Sequence, residues 1–168
     1  MKTVEKTDFF NWAYSDLLVN NQRGHLAEYL VALALGIDND KRIEWDAYDL
    51  KYKNLKIEIK SSAYVQAWEQ TKPSIISFGV AKTRALENNS YSDEMKRQAD
   101  IYIFCVLKHE DRNTINPLNF EQWDFYVVPT DLINKELGNQ KTVKLSTLKL
   151  IGASPVAFEN IKNSIDNL

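Results

Sequence analysis

The most constraining feature of this sequence is a strict alternation of apolar and charged residues around one short turn, over residues 48–60. Because successive strand side chains point to opposite faces, the alternation predicts a β-hairpin with one apolar and one charged face. The apolar face holds Tyr48, Leu50, Tyr52, Leu55, Ile57 and Ile59, and the charged face holds Asp49, Lys51, Lys53, Lys56, Glu58 and Lys60. A two-residue turn at Lys53-Asn54 would place Asp49 opposite Glu58. A one-pair slip would bury the charges, so this register is expected.

The predicted register brings two carboxylates together at the open end of the hairpin. Like charges directly opposite each other are destabilising, so the acid pair is either tolerated by the fold or used for a function. Two carboxylates whose backbones lie roughly 4.5–5.5 Å apart can share a hard cation such as Mg²⁺. Lys60 lies about 7 Å beyond Glu58 on the same face, within reach of a bound water or a phosphate. The alternative is a face that is merely solvated, as one side of an antiparallel sheet often is.

A single glutamate, Glu28, stands among the apolar residues from Leu26 to Leu35. A glutamate in such a setting needs a cation, a hydrogen-bond partner or a proton. Gly24 and Ala32 share its helix face and would let the helix approach a sheet closely, which would bring Glu28 toward the hairpin. The alternative is a surface glutamate beside Arg23 or a tyrosine, and the pattern favours neither.

Length and composition favour one domain that spans residues 1–168, with a core large enough to need no disulfide. The one cysteine, Cys105, lies in an apolar run and is expected in the core, which suits a reducing cytoplasm. The longest apolar run, residues 29–37, is too short to span a membrane. A formal charge of −2 does not indicate nucleic acid by itself, but residues 51–72 carry five lysines against two glutamates.

The order of the predicted elements indicates an α/β fold with a mixed sheet. The pattern predicts helices over residues 8–20 and 21–35, the hairpin, strands at 74–80, 101–107 and 123–128, and helices at 131–137 and 154–168. A mixed polar stretch over residues 81–99, with a loop at 88–90, separates two of these strands.

A helix glutamate, a strand aspartate and a Glu-x-Lys triplet in the next strand resemble the PD-(D/E)xK nuclease superfamily. The residues that carry the resemblance are Glu28, Asp49 and Glu58-Ile59-Lys60, and the similarity covers roughly residues 20–107. The sequence departs from the family pattern at Tyr48, where a proline is common. Asp46 is the rival for the aspartate position, but the alternation places it on the apolar face.

The resemblance implies a restriction-endonuclease-like core, a mixed central β-sheet flanked by helices. It also implies that Asp49 and Glu58 hold Mg²⁺ or Mn²⁺, with the Ile59 carbonyl as a further ligand and Glu28 as an accessory one. Lys60 would orient the attacking water. The implied reaction is hydrolysis of DNA phosphodiester bonds by a metal-activated water, and the alternative is a catalytically silent relative that binds nucleic acid or a protein partner.

Several polar residues are candidates for contacts with the DNA: Lys51, Lys53, Lys56, Lys82, Arg84 and Gln66. The lysines of the hairpin share the face of the carboxylate pair and could follow backbone phosphates. Gln66 resembles a glutamine that some family members place near the site. Solvated surface residues are the alternative for all six. A cytoplasmic location without a membrane partner is expected, and a homodimer is left open because enzymes that cut both strands often pair.

Overall fold

A four-stranded mixed sheet organises the fold, as seen in a computed structural model that describes residues 3–39, 42, 47–87 and 90–168. The strands are β1 (Leu50–Tyr52), β2 (Leu55–Ala63), β3 (Ser77–Gly79), β4 (Thr83–Glu87), β5 (Ser90–Lys96), β6 (Ile101–Leu107), β7 (Trp123–Pro129) and β8 (Thr142–Lys144). The helices are α1 (Lys6–Tyr14), α2 (Asn20–Leu35), α3 (Thr130–Leu137), α4 (Leu145–Leu150) and α5 (Ile161–Asp166). The main sheet has the order β1-β2-β6-β7, with β2 parallel to β6 and the outer pairs antiparallel. The predicted mixed sheet flanked by helices is therefore confirmed.

The β1–β2 hairpin has the register that the alternation predicts. Leu50 pairs with Ile57 and Tyr52 pairs with Leu55. Lys53 opens the turn with a positive φ of 55°. The register follows from burial, because Tyr52 and Ile57 both enter the core while Lys51 and Lys56 stay exposed.

The main sheet buries a different apolar cluster on each face. On the first face, Ile57 and Ile59 pack with α2 and α5. On the second face, Tyr102 and Phe104 of β6 pack with residues of β3, β8, α3 and α4. Strand β6 is buried along its whole length, which explains its unbroken apolar sequence. Cys105 lies within it as predicted, and burial raises the pKa of its thiol.

The apolar cover of the second face does not extend across β2. Glu58 and Lys60 occupy the second-face positions there, next to Tyr102 and Phe104 in the parallel register. Both side chains are half-buried. The sheet therefore presents a charged edge beside an apolar cluster, and this edge forms one wall of a cleft.

Two helices differ from the sequence expectation. The helix expected over residues 8–20 ends at Tyr14, and a turn separates it from α2. The helix expected over 154–168 is only the short α5, preceded by a 3-10 turn. The start of the expected helix is instead extended, because Val156 forms a β-bridge to Phe125 of β7, in which the Val156 N–H donates to the Phe125 carbonyl at 2.7 Å. Gly36 ends α2 as predicted, at a φ of 71°.

Strand β3 lies within the strand predicted over residues 74–80, whereas its partner β8 and the β4–β5 hairpin were not predicted. Strands β3 and β8 pair antiparallel, and β4 and β5 form a hairpin with a register shift between Arg84 and Leu86. The sequence pattern predicts a polar stretch with a loop where that hairpin lies, and Asn88 and Asn89 of the loop lie outside the described residues. In the described ranges, no helix has the length and apolar character needed to cross a membrane.

Candidate active site

Three of the four predicted catalytic residues, Asp49, Glu58 and Lys60, line one cleft of about 630 Å³. The hairpin β1–β2 supplies them from one wall. The β4–β5 hairpin supplies much of the other, and Tyr102 of β6 joins the lining. The full lining is Ala47, Asp49, Glu58, Lys60, Gly79, Ala81, Thr83, Arg84, Ala85, Tyr91, Gln98 and Tyr102.

Asp49 is held in place by the backbone of the opposite strand. Its N–H donates to the Ile57 carbonyl at 3.0 Å, and its Oδ2 accepts the Ile59 N–H at 2.6 Å. The ladder of paired residues ends at Leu50 and Ile57, so the Asp49 side chain takes the place of a backbone partner for Ile59. This contact fixes the carboxylate at the open end of the hairpin.

The surroundings of Asp49 disfavour its ionised form. Burial raises the pKa of Asp49 to about 6, and the charge of Glu58 is the next largest cause. The more distant charge of Glu28 adds to the increase, while the Ile59 N–H and Lys60 oppose it. Negative charge is thus concentrated at this end of the cleft. A bound cation would offset this charge and favour the ionised form of Asp49.

Lys60 balances part of that charge. Its Nζ donates to Oε1 of Glu58, two residues earlier on the same face of β2. Both side chains are partly shielded, with 34% of Lys60 and 20% of Glu58 exposed. The ammonium group therefore lies beside the carboxylate pair, as the alternation predicted.

Tyr102 was missed in the sequence because its role depends on the parallel pairing of β2 with β6. It is the register partner of Glu58 and lines the cleft. Burial, followed by the charge of Glu58, raises the pKa of Tyr102 to about 12. The phenol, which is protonated at neutral pH even at its ordinary pKa, is therefore held still more strongly in the protonated form.

Glu28 is buried, with 8% exposed, and its partner is an arginine. Arg42 donates from Nε to Oε2 and from Nη2 to Oε1, the second bond at 3.1 Å. The expectation that Glu28 needs a partner is confirmed. The partner itself was missed, since nothing in the alternation links residue 42 to α2.

The arrangement fits a hard cation held by two carboxylates. Mg²⁺ is commonly bound through one or two carboxylates together with waters and substrate phosphates, which Asp49 and Glu58 can satisfy. Among the residues that the structure describes, no three acidic, histidine or cysteine side chains are grouped closely enough to hold an ion. Glu28 is not part of the cleft lining and does not group with Asp49 and Glu58, and metal ligation by Asp49, Glu58, Glu28 and the Ile59 carbonyl stays a prediction. Asp46, the rival of Asp49, lies outside the described residues.

Four of the six candidate DNA contacts lie in or next to the cleft or on the surface of the β1–β2 hairpin. Arg84 lines the cleft, and Lys82 lies between the lining residues Ala81 and Thr83. Lys51 is exposed on the hairpin, and the Lys56 ammonium lies over the Tyr48 ring, 5.6 Å from its centre, outside the cleft.

Two candidates are placed where a DNA contact is not supported. Lys53 bonds Asp166 of α5 at 2.7 Å, and it leaves the charged face because its turn conformation breaks the strand alternation. Gln66 is buried, and its side-chain amide accepts from Arg23 and donates to the Ala63 carbonyl. These contacts join α2 to the segment after β2, so Gln66 has a structural role here.

Comparison with known protein families identifies the chain at the level of a family. A family model described as bacteriophage T4 endonuclease IV matches residues 6–147, which include the whole lining of the cleft. No curated protein matches the chain. Since the family model covers most of the sequence, the chain belongs to the bacteriophage T4 endonuclease IV family, a family of nucleases.

Proposed function

We propose that this protein is a metal-dependent endonuclease that hydrolyses DNA phosphodiester bonds in the cleft of Asp49, Glu58 and Lys60. The observation that carries the proposal is the half-buried carboxylate pair with an adjacent lysine, in a chain of an endonuclease family. The order of the sheet, a hairpin followed by a parallel and then an antiparallel strand, supports a restriction-endonuclease-like core and membership of the PD-(D/E)xK superfamily.

Asp49 and Glu58 would hold the cation, Mg²⁺ or Mn²⁺. When bound, such a cation supplies polarisation of the phosphate and a lowered pKa of water. The raised pKa of Asp49 supports this assignment, because the ionised carboxylate is poorly compensated by the protein alone. The Ile59 carbonyl and Glu28 are proposed as further ligands, and Glu28 would have to share its carboxylate with Arg42.

Lys60 provides a fixed positive charge where negative charge develops on the phosphate. Its bond to Glu58 holds the ammonium group in position before substrate arrives, so little reorganisation is needed during the reaction. Tyr102 lines the same cleft, and its protonated phenol would be a further hydrogen-bond donor for the substrate.

The test is cleavage of labelled duplex, single-stranded and branched DNA by the purified protein in Mg²⁺ or Mn²⁺. Lys60→Ala is expected to lower the cleavage rate by about 100-fold or more, the usual loss for one electrostatic group at a reacting centre. Lys108→Ala is the matched control, because Lys108 is also a partly exposed, ion-paired lysine but lies outside the cleft. Its rate should equal that of the wild type.

Full cleavage by Lys60→Ala would contradict the site assignment. A wild-type protein that binds DNA but cuts none of these substrates in either metal would instead favour the catalytically silent relative.

A further inference from the structure

The β4–β5 hairpin is a wall of the cleft that the proposed chemistry does not use. Thr83, Arg84, Ala85 and Tyr91 of this hairpin line the same cleft as the carboxylates. The two strands pair with each other as a separate ribbon and belong to neither the main sheet nor the β3–β8 pair. A ribbon in this position faces whatever occupies the cleft.

Tyr91 is the most unusual side chain on this wall. It is 69% exposed although it lines the same cleft as Asp49 and Glu58. It pairs across the hairpin with Leu86, so its backbone is held by the ribbon. Exposed aromatic rings beside a phosphate-binding region act as stacking surfaces for nucleobases, because every base has a flat π-face.

Arg84 supplies the complementary charge on the same wall. It is exposed, and it belongs to none of the ion pairs formed by the side chains that the structure describes. A guanidinium group binds phosphate oxygens through two parallel N–H bonds. Because Lys60 of β2 lines the same cleft, the cleft offers a polyanion positive charge from two separate strands, β2 and β4.

We propose that the β4–β5 hairpin binds the substrate strand, with Tyr91 stacked on a nucleobase and Arg84 on a phosphate of that strand. The hairpin would thereby position the phosphodiester bond over Asp49 and Glu58. Both residues contact substrate and take no part in the chemical step. This inference rests on the proposed nuclease function, but binding can be measured without cleavage.

The test uses the full-length protein in Ca²⁺ and DNA oligonucleotides that carry 2-aminopurine at successive positions. The wild type should quench the fluorescence at one position or two adjacent positions, where the base stacks on Tyr91. Tyr91→Phe should retain the quenching. Tyr91→Leu should lose it and raise the Kd by about tenfold, the typical loss for one base–aromatic contact. Tyr29→Leu is the control, because Tyr29 is an exposed tyrosine of α2 outside the cleft.

An abasic site provides a second readout that a structural role would not affect. Removal of the quenched base should weaken binding by the wild type and leave the Kd of Tyr91→Leu unchanged. Arg84→Ala should weaken binding to all sequences and lower the slope of log K against log salt by about 1.

The inference is overturned if DNA is not bound, if no position is quenched, or if Tyr91→Leu keeps the wild-type Kd and quenching. Quenching that depends on Tyr91, in a protein that cuts no DNA in Mg²⁺ or Mn²⁺, would uphold the inference and reject the proposed function. If Tyr91→Leu binds and cuts DNA like the wild type, the proposed function is upheld and the inference about Tyr91 is rejected.

Discussion

At the scale of single residues, the site depends on one side chain that replaces a backbone partner. The Asp49 carboxylate accepts the Ile59 N–H and is thereby held beside Glu58, where burial and repulsion both disfavour its charge. The protein therefore gives up some stability to keep this group in place. Such a cost is common at functional sites, which are often less stable than the rest of a fold.

The cost of Asp49 predicts a stability change that depends on pH. Asp49 titrates near 3.8 when unfolded and near 6 when folded, so its contribution to stability is lost as pH rises through this window. In the presence of a chelator, Asp49→Asn should therefore be more stable than the wild type above pH 6, by up to about 3 kcal/mol. Urea unfolding at pH 8 and at pH 4 measures the difference.

The gain should disappear at the lower pH, since the wild-type carboxyl is then largely protonated in the folded state. The asparagine can still accept the Ile59 N–H, so no hydrogen bond is lost. A variant that is less stable than the wild type at pH 8 would contradict the assigned surroundings of Asp49.

At the scale of elements, burial decided which parts of the fold could be predicted. The β1–β2 hairpin and β6 were predicted at or near their observed bounds because each has a core-facing pattern that leaves one arrangement. The β4–β5 ribbon was missed because its side chains are mostly polar and its register shifts at Arg84. The last helix was overestimated, because the long-range bridge of Val156 to Phe125 has no local signal.

The same reasoning applies to the site. The alternation places Asp49, Glu58 and Lys60 together because all three belong to one hairpin. Tyr102 and Arg42 could not be found in this way. Tyr102 is next to Glu58 through the pairing of β6 with β2, and Arg42 binds Glu28 from a position 14 residues further along the chain. A local sequence pattern holds no information about such contacts.

Two glycines of α2 offer an opposed pair of predictions. Gly36 ends the helix at a φ of 71°, and an added Cβ would meet no neighbouring atom there. Gly36→Ala should therefore destabilise the protein by about 1 kcal/mol through backbone strain alone. Gly24 lies inside the helix with equally open space, so Gly24→Ala should stabilise by about 0.5–1 kcal/mol.

Chemical unfolding of the two variants measures both effects on one scale. A stabilising Gly36→Ala, or a destabilising Gly24→Ala, would show that the described end or course of α2 is wrong.

At the scale of the whole molecule, the two faces of the main sheet differ in the residues that cover them. The first face is closed by α2 and α5 over an apolar cluster, while the second face is apolar at β6 and charged at β2. Glu58 therefore lies on strand β2 beside a cleft of about 630 Å³, and Asp49, which directly precedes β1, is bonded to the backbone of β2. Sites built on strands hold their geometry better than sites on loops.

The single domain, the cytoplasmic location and the homodimer stay predictions, and the family match gives the homodimer no support.

The most direct test of the account is whether the carboxylate pair binds a cation. Calorimetric titration of the wild-type protein with Mn²⁺ should show one site, and Asp49→Ala should abolish it. Asp124→Asn, which removes a carboxylate paired with Lys108 outside the cleft, should bind Mn²⁺ like the wild type. Equal Mn²⁺ binding by the wild type and Asp49→Ala, or no binding by the wild type, would contradict the proposed site.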